Sequence, residues 1–160
     1  MKSNLYLHCF TLLTMFCNPY HFNIHDINIQ RPNTEYDLDV DLTGVNSYGH
    51  ISYKQNSESQ KIATLDTHVY KLKPHHIYRL ESAFDSTVNT ICESKNWLIL
   101  GRGEKPQQII TNDRGEGSAT FIRKLTLFPH GKKFDIHFQV IDQENLAVVL
   151  SSKCYQFTVK

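Results

Sequence analysis

The sequence predicts an all-β fold, an antiparallel Greek-key sandwich of about eight or nine strands of the immunoglobulin-like type. Three observations lead to this prediction. Apolar and polar residues alternate with a period of two in several segments, turn-forming residues separate these segments at short intervals, and no segment has the apolar spacing of an amphipathic helix. The length of 160 residues, with 40% hydrophobic and 21% charged side chains, is typical of one globular domain.

The beginning of the chain resembles an export signal. Lys2 precedes a mostly apolar run over residues 5–17, which is typical of a secretory signal and too short for a membrane span of about 20 residues. We predict a signal peptide or anchor over 1–17, a loose linker over 18–34 and a single sandwich domain over 35–160. An uncleaved anchor or a buried N-terminal strand remains an alternative. Export implies a secreted or periplasmic protein without a membrane span after signal cleavage.

The first predicted strand of the domain covers residues 36–42. Its apolar positions alternate with Asp37, Asp39 and Asp41, which therefore share one face. Carboxylates two residues apart on a strand spread over roughly 13 Å and do not converge on a cation. We therefore expect a solvated face that discourages pairing between sheet edges.

The remaining strands follow from the same alternation and from the turns between them. The clearest alternation begins at Phe134, and Asn, Asp and Gly between 112 and 117 predict a tight hairpin turn. The predicted strands are 50–55, 62–70, 77–83, 97–100, 108–111, 118–122, 134–140, 147–150 and 154–159.

The number and positions of the cysteines indicate whether the protein works in an oxidising or a reducing compartment. Cys9 and Cys17 belong to the apolar N-terminal segment, and Cys92 and Cys154 form an even pair in the predicted domain. In an oxidising compartment this pair is expected to form a disulfide. Two buried thiols are the alternative for a protein that stays in the cytosol.

Several segments together resemble the copper/zinc superoxide dismutase-like sandwich, including relatives that lack the enzyme's metals. The resemblance rests on residues 40–44 with 49–55, on 72–81, on the hairpin 110–119, and on 151–154, where the family's last strand carries a disulfide cysteine. It implies the sandwich fold over about residues 36–159.

The family's copper ligands are not matched. The family has His-x-His on one face of its copper strand, and Tyr78 and Leu80 occupy those positions here. A further copper histidine is expected where Ile141 and Asp142 stand. The resemblance therefore implies the fold without dismutase activity.

The nine histidines are the unusual feature of the composition. The main expectation is that they are scattered over the surface and that no cofactor is bound. The alternative is a copper or zinc site formed by His68, His76 and His137, from a set that also includes His50 and His75. His68 is expected to meet His75 or His76 across a hairpin.

The sequence favours a non-catalytic domain that binds a protein or glycan partner through its loops or a sheet face. A net charge of +1 argues against nucleic acid as the partner, and no catalytic constellation is recognisable. The candidate partner-binding residues, if exposed, are the aromatic residues Tyr48, Tyr53, Tyr78 and Trp97. A metal-binding or redox protein on the superoxide dismutase-like scaffold is the alternative.

Overall fold

The computed structural model describes residues 36–56, 61–102 and 107–160. These three ranges contain ten strands and no helix, and every strand pair is antiparallel. The all-β antiparallel prediction is therefore confirmed, whereas the Greek-key sandwich stays a prediction. The predicted signal over 1–17 and linker over 18–34 lie outside the described residues. The strands are β1 (Leu38–Thr43), β2 (Tyr48–Gln55), β3 (Ile62–Tyr70), β4 (Ile77–Asp85), β5 (Leu98–Ile99), β6 (Ile109–Ile110), β7 (Gly117–Lys124), β8 (Lys133–Asp142), β9 (Val148–Ser152) and β10 (Tyr155–Thr158).

The strands form one sheet in the order β5-β4-β8-β9-β1-β2-β3-β7, with β10 paired to β8 and β6 paired to β4. The sheet has a first half, β1, β2, β3 and β7, and a second half, β4, β5, β6, β8, β9 and β10. The two halves meet where β1 pairs with β9. That ladder contains only Leu42 opposite Ser152 and Thr43 opposite Ser151.

The sheet curls around its apolar face, so that β7 and β4 approach each other from distant places in the strand order. Arg123 of β7 donates a hydrogen bond to Ser82 Oγ of β4 at 2.7 Å, and its guanidinium lies 5.0 Å from the Phe84 ring. Burial lowers the pKa of Arg123 and raises the pKa of the nearby Tyr53. The enclosed core includes Val40, Leu42, Ile51, Leu65, Leu80, Phe121, Phe138 and Val140.

The predicted strand over 97–100 forms only in part. Leu98 and Ile99 pair with β4 over two residues, and Leu98 is 45% exposed. The apolar run suggested a buried strand. Because β5 lies at the end of the sheet order, it buries less than a central strand.

The predicted hairpin turn between β6 and β7 is present. Asn112 Oδ1 accepts hydrogen bonds from the backbone N–H groups of Arg114 and Glu116, at 2.8 and 3.0 Å. Gly115 has φ +72° and packs directly against the carbonyl of Leu72, where a Cβ would clash. Leu72 N–H in turn donates to Gly115 O at 3.0 Å, so the turn positions the chain that precedes β4.

Residues 86–97, which we call the strap, pass over the outer face of β4 and β8. As predicted, Cys92 forms a disulfide with Cys154, and the two Cα atoms are 5.4 Å apart. Asp135 Oδ2 of β8 accepts the backbone N–H groups of Asn89 and Thr90 at 2.8 and 2.6 Å. The strap is therefore attached to the sheet both covalently and through a buried carboxylate.

Candidate functional site

Exposure separates the four aromatic residues predicted to bind a partner. Tyr48 is 49% exposed and Trp97 is half-buried, whereas Tyr53 and Tyr78 are each 1% exposed. Tyr53 and Tyr78 are thus corrected to core residues. Their neighbours two positions away are the buried Ile51 and Leu80, and residues two apart lie on the same face of a strand.

The first half of the sheet exposes a row of stacked rings on its outer face. Tyr48 of β2 lies opposite Tyr70 of β3, with ring centroids 5.0 Å apart and planes 20° apart. His50 lies opposite His68 in the same way, at 4.9 Å and 14°. We call these four residues the ring ladder. Since each ring is held by its cross-strand neighbour, the ladder presents aromatic edges in a fixed arrangement.

Carboxylates flank the ring ladder. Asp41 of β1 lies opposite His50, and Asp66 of β3 lies two residues from His68 and accepts a hydrogen bond from Thr120 at 2.8 Å. Burial and the His68 ring lower the pKa of His50, although Asp39 and Asp41 act in the opposite direction. His50 is therefore neutral at pH 7, and the negative charge beside the ladder is not cancelled by it.

A shallow groove of about 420 Å³ lies on the same outer face, between β3 and β7. The groove begins at the ring ladder, so this face has a depression next to its carboxylates. Its lining residues are Asp66, Thr67, His68, Ser118, Ala119 and Thr120.

The three histidines predicted as metal ligands lie on different elements and have different neighbours. His68, on β3, stacks on His50 of β2, whereas His76 contacts two carboxylates described below. His137 lies under the strap, where its ring is 4.5 Å from Trp97 and its Nε2 is 3.1 Å from Ser94 O. A joint site for His68, His76 and His137 stays a prediction.

His76, just before β4, meets two carboxylates. Its Nε2 lies 2.8 Å from Asp142 Oδ1 and 3.6 Å from Glu144 Oε2. All three ligand atoms lie within 4.8 Å of one another. Lys73 Nζ also contacts Glu144 Oε2, at 2.9 Å. Within the described ranges, His76, Asp142 and Glu144 are the side chains of metal-ligand type that the structure brings together as a group of three.

The backbone fixes this group in place. Thr111, at the start of the hairpin turn, accepts the N–H of His76 at 3.0 Å and donates its hydroxyl hydrogen to Lys73 O at 2.7 Å. Asp142 Oδ1 accepts the N–H of Glu144 at 2.8 Å. Burial opposes ionisation of Asp142, but the hydrogen bonds from His76 and from Glu144 N–H outweigh it and lower the pKa of Asp142. Lys73 lowers the pKa of Glu144.

A second cavity, of about 350 Å³, lies beside β4 and β5. Unlike the groove, it is lined by two guanidinium groups and several amides. These belong to Arg79, Arg102, Gln107, Gln108 and Gln143.

Comparison with protein-family models, with curated proteins and with solved structures gives no match to this chain. In the part of the chain that the structure describes, no helix is long and apolar enough to cross a membrane.

Sequence reasoning missed Tyr70, Asp142 and Glu144. Tyr70 ends a predicted strand on the same face as His68, so its place beside His68 could have been found from the period of two. Its partner Tyr48 depends on the register between β2 and β3. Asp142 and Glu144 meet His76 only because the end of β8 lies opposite the start of β4, which no local pattern indicates.

Proposed function

We propose that this protein is an exported, disulfide-closed, non-catalytic domain that binds a protein partner through the outer face of its first half. The observation that carries the proposal is the ring ladder, in which Tyr48 and His50 are exposed and His68 and Tyr70 are half-buried. Exposed aromatic rings held rigidly on a sheet supply contact area at low entropic cost, and tyrosine is enriched in protein interfaces.

The charges on this face favour a partner with basic side chains. Asp41 and Asp66 lie beside the ring ladder, and Lys54 and Lys124 lie toward the other end of β2 and β7. Lys71 Nζ lies 5.6 Å from the Tyr48 ring centroid, which shows that this ring accepts a cation on its face, and a basic partner would displace that ammonium group. A guanidinium group can stack on an aromatic ring and pair with a carboxylate at the same time. An arginine-rich segment therefore fits the ladder, its flanking carboxylates and the adjoining groove.

The second half supports export and a structural role for the cysteines. Disulfides persist in oxidising compartments, so the Cys92–Cys154 bond favours an extracellular or periplasmic setting. Because both sulfurs are in the bond, neither cysteine is a thiol nucleophile. Strand neighbours that are not consecutive in the chain, such as β4 with β8 and β9 with β1, are consistent with a Greek-key, superoxide dismutase-like sandwich.

Titration of the isotope-labelled chain with a short arginine-rich peptide tests the proposal. A glutamate-rich peptide of the same length serves as the comparison. We expect the basic peptide to bind more tightly and to shift the backbone amide signals of the ring ladder, Asp41 and Asp66. Tyr48→Ala and Asp66→Asn should each weaken binding severalfold, since they remove stacking area and charge from the same surface.

Glu93→Gln is the matched control, because it removes an exposed carboxylate of the strap, which lies over the second half of the sheet. It should leave binding unchanged. Preference for the acidic peptide, with shifts around Arg79 and Arg102, would refute the proposal and point to the second cavity. Equal losses of affinity in Asp66→Asn and Glu93→Gln would mean that the peptide binds by non-specific charge attraction.

A further inference from the structure

We propose that His76, Asp142 and Glu144 form a zinc-binding site at the junction of β4 and β8. This site is independent of the partner-binding face, and it differs from the histidine set that the sequence suggested. His76 is the only member common to both sets.

The distances are close to those of a zinc site. Bonds of about 2.0–2.1 Å in a tetrahedral arrangement place ligand atoms roughly 3.3 Å from one another. The separation of 3.6 Å between His76 Nε2 and Glu144 Oε2 nearly meets this value. The 2.8 Å separation between His76 Nε2 and Asp142 Oδ1 must open by about half an ångström, which a rotation of the imidazole ring can supply.

The donor set favours zinc over the hard cations. Calcium takes six to eight oxygen ligands and magnesium retains most of its water shell, whereas one imidazole nitrogen with two carboxylate oxygens suits zinc. Three protein ligands leave a fourth position for water. Zinc binds the Nε2 lone pair of His76, so the proton that Nε2 shares with Asp142 leaves to solvent and the neutral ring carries its hydrogen on Nδ1.

Two of the three ligands are positioned before any ion arrives. His76 is held by Thr111 through its backbone N–H, and the Asp142 carboxylate accepts the N–H of Glu144. The Asp142 and His76 side chains are only 8% and 13% exposed. Zinc therefore needs to order only the exposed Glu144 side chain, which keeps the entropic cost of binding low.

Lys73 is the second indication of a cation site. Its ammonium group neutralises Glu144 at 2.9 Å, and the Lys73 side chain is 60% exposed. An exposed ion pair of this kind contributes little free energy and is readily broken. Zinc displaces this ammonium group into solvent, so Lys73 competes with the metal for Glu144.

Isothermal titration of the full, disulfide-bonded chain with zinc chloride tests the site. We expect one zinc per chain, and a loss of affinity of at least about tenfold in Asp142→Asn and in Glu144→Gln. Lys73→Gln should instead raise the affinity, because it removes the competing cation. X-ray absorption at the zinc edge should show a shell of nitrogen and oxygen with a single imidazole.

The variants are chosen so that a loss of zinc affinity cannot be caused by misfolding. Glu144 is two-thirds exposed, at 66% of its side chain, so Glu144→Gln does not disturb the core. His50→Gln and His68→Gln test the ring ladder as a rival zinc site and should leave affinity unchanged. Absence of saturable zinc binding, zinc lost in His68→Gln but kept in Glu144→Gln, or unchanged affinity in Lys73→Gln would each overturn the proposal.

Discussion

The outer faces of the two halves of the sheet differ in what lies over them. On the first half the outward residues of β1 and β2 are exposed or partly exposed. On the second half the strap covers β4 and β8, and nine of the ten β8 residues are buried or half-buried. Asp135, an outward polar residue of the second half, is buried under the strap, and the outward Glu81 and Gln139 are also buried, with a hydrogen bond between them. The comparison shows that the same alternating pattern leaves a solvent-exposed face where nothing lies over it and a buried polar layer where it is covered.

Removing the disulfide should produce the largest change in the free energy of unfolding, because it releases the strap from the sheet. Cys92 and Cys154 are 62 positions apart, and in the chain-entropy model a bond closing such a loop contributes about 4 kcal/mol. Cys92→Ser with Cys154→Ser should lower the free energy of unfolding in urea by about that amount. Tyr48→Ala on the uncovered face should change it by no more than about 0.5 kcal/mol. Similar losses in both variants would mean that the strap stabilises no more than the open face does.

Removing one aspartate carboxylate from each half compares the covered and the uncovered face directly, because both halves have aspartates on their outer face. Asp135 is fully buried and accepts two strap N–H groups, so Asp135→Ala leaves both donors unpaired under the strap. We expect a loss of about 3 kcal/mol in unfolding free energy. Asp41→Ala, on an exposed position of β1, is the matched variant and should be nearly neutral. A neutral Asp135→Ala would show that the disulfide alone holds the strap.

The pH dependence of stability gives the smallest expected effect, and it comes from the uncovered face. The pKa of His50 lies below its ordinary value of 6.5, so the unfolded chain binds this proton more readily than the folded protein does. The stability that depends on a neutral His50 is therefore fully present above pH 6.5, and it is lost progressively as the pH falls below that value. Asp142 and Glu144, whose pKa values are also lowered, lose their contributions only below their ordinary values of 3.8 and 4.5.

Urea titrations between about pH 7 and pH 5 therefore separate the effect of histidine protonation from that of these two carboxylates. The free energy of unfolding should decrease slightly in the wild type, and His50→Gln should make the curve flatter over this range. His75→Gln, an exposed histidine outside the ladder, serves as the control. A curve unchanged by His50→Gln would show that the stacked pair does not disfavour protonation.

The strands were largely predictable, because period-two alternation is a local property. The segment after Phe134 alternates and forms β8, and the outward positions Asp39 and Asp41 are exposed as expected. The strap was not predictable. Asp135 has the spacing of a solvated face, and a segment about 40 residues earlier in the chain, tied down by Cys92, accounts for its burial.

The candidate sites also depend on contacts between residues that are distant in the sequence. Tyr48 was found from residue type alone, but its partner Tyr70 depends on the register between β2 and β3. His76 was selected as a ligand for its chemistry. Its true neighbours, Asp142 and Glu144, follow from the antiparallel pairing of β4 with β8 across more than 60 positions, and no sequence spacing encodes that distance.

The short ladder between β1 and β9 has a consequence for biosynthesis. The first half can pair β1, β2, β3 and β7 once β7 has been made, but among the described residues its strand pairing with the second half runs only through Leu42 and Thr43. Their partners, Ser151 and Ser152, follow almost all of the domain in the chain. During synthesis the sheet therefore stays divided until its last strands emerge from the ribosome, and the complete sheet forms only after that point.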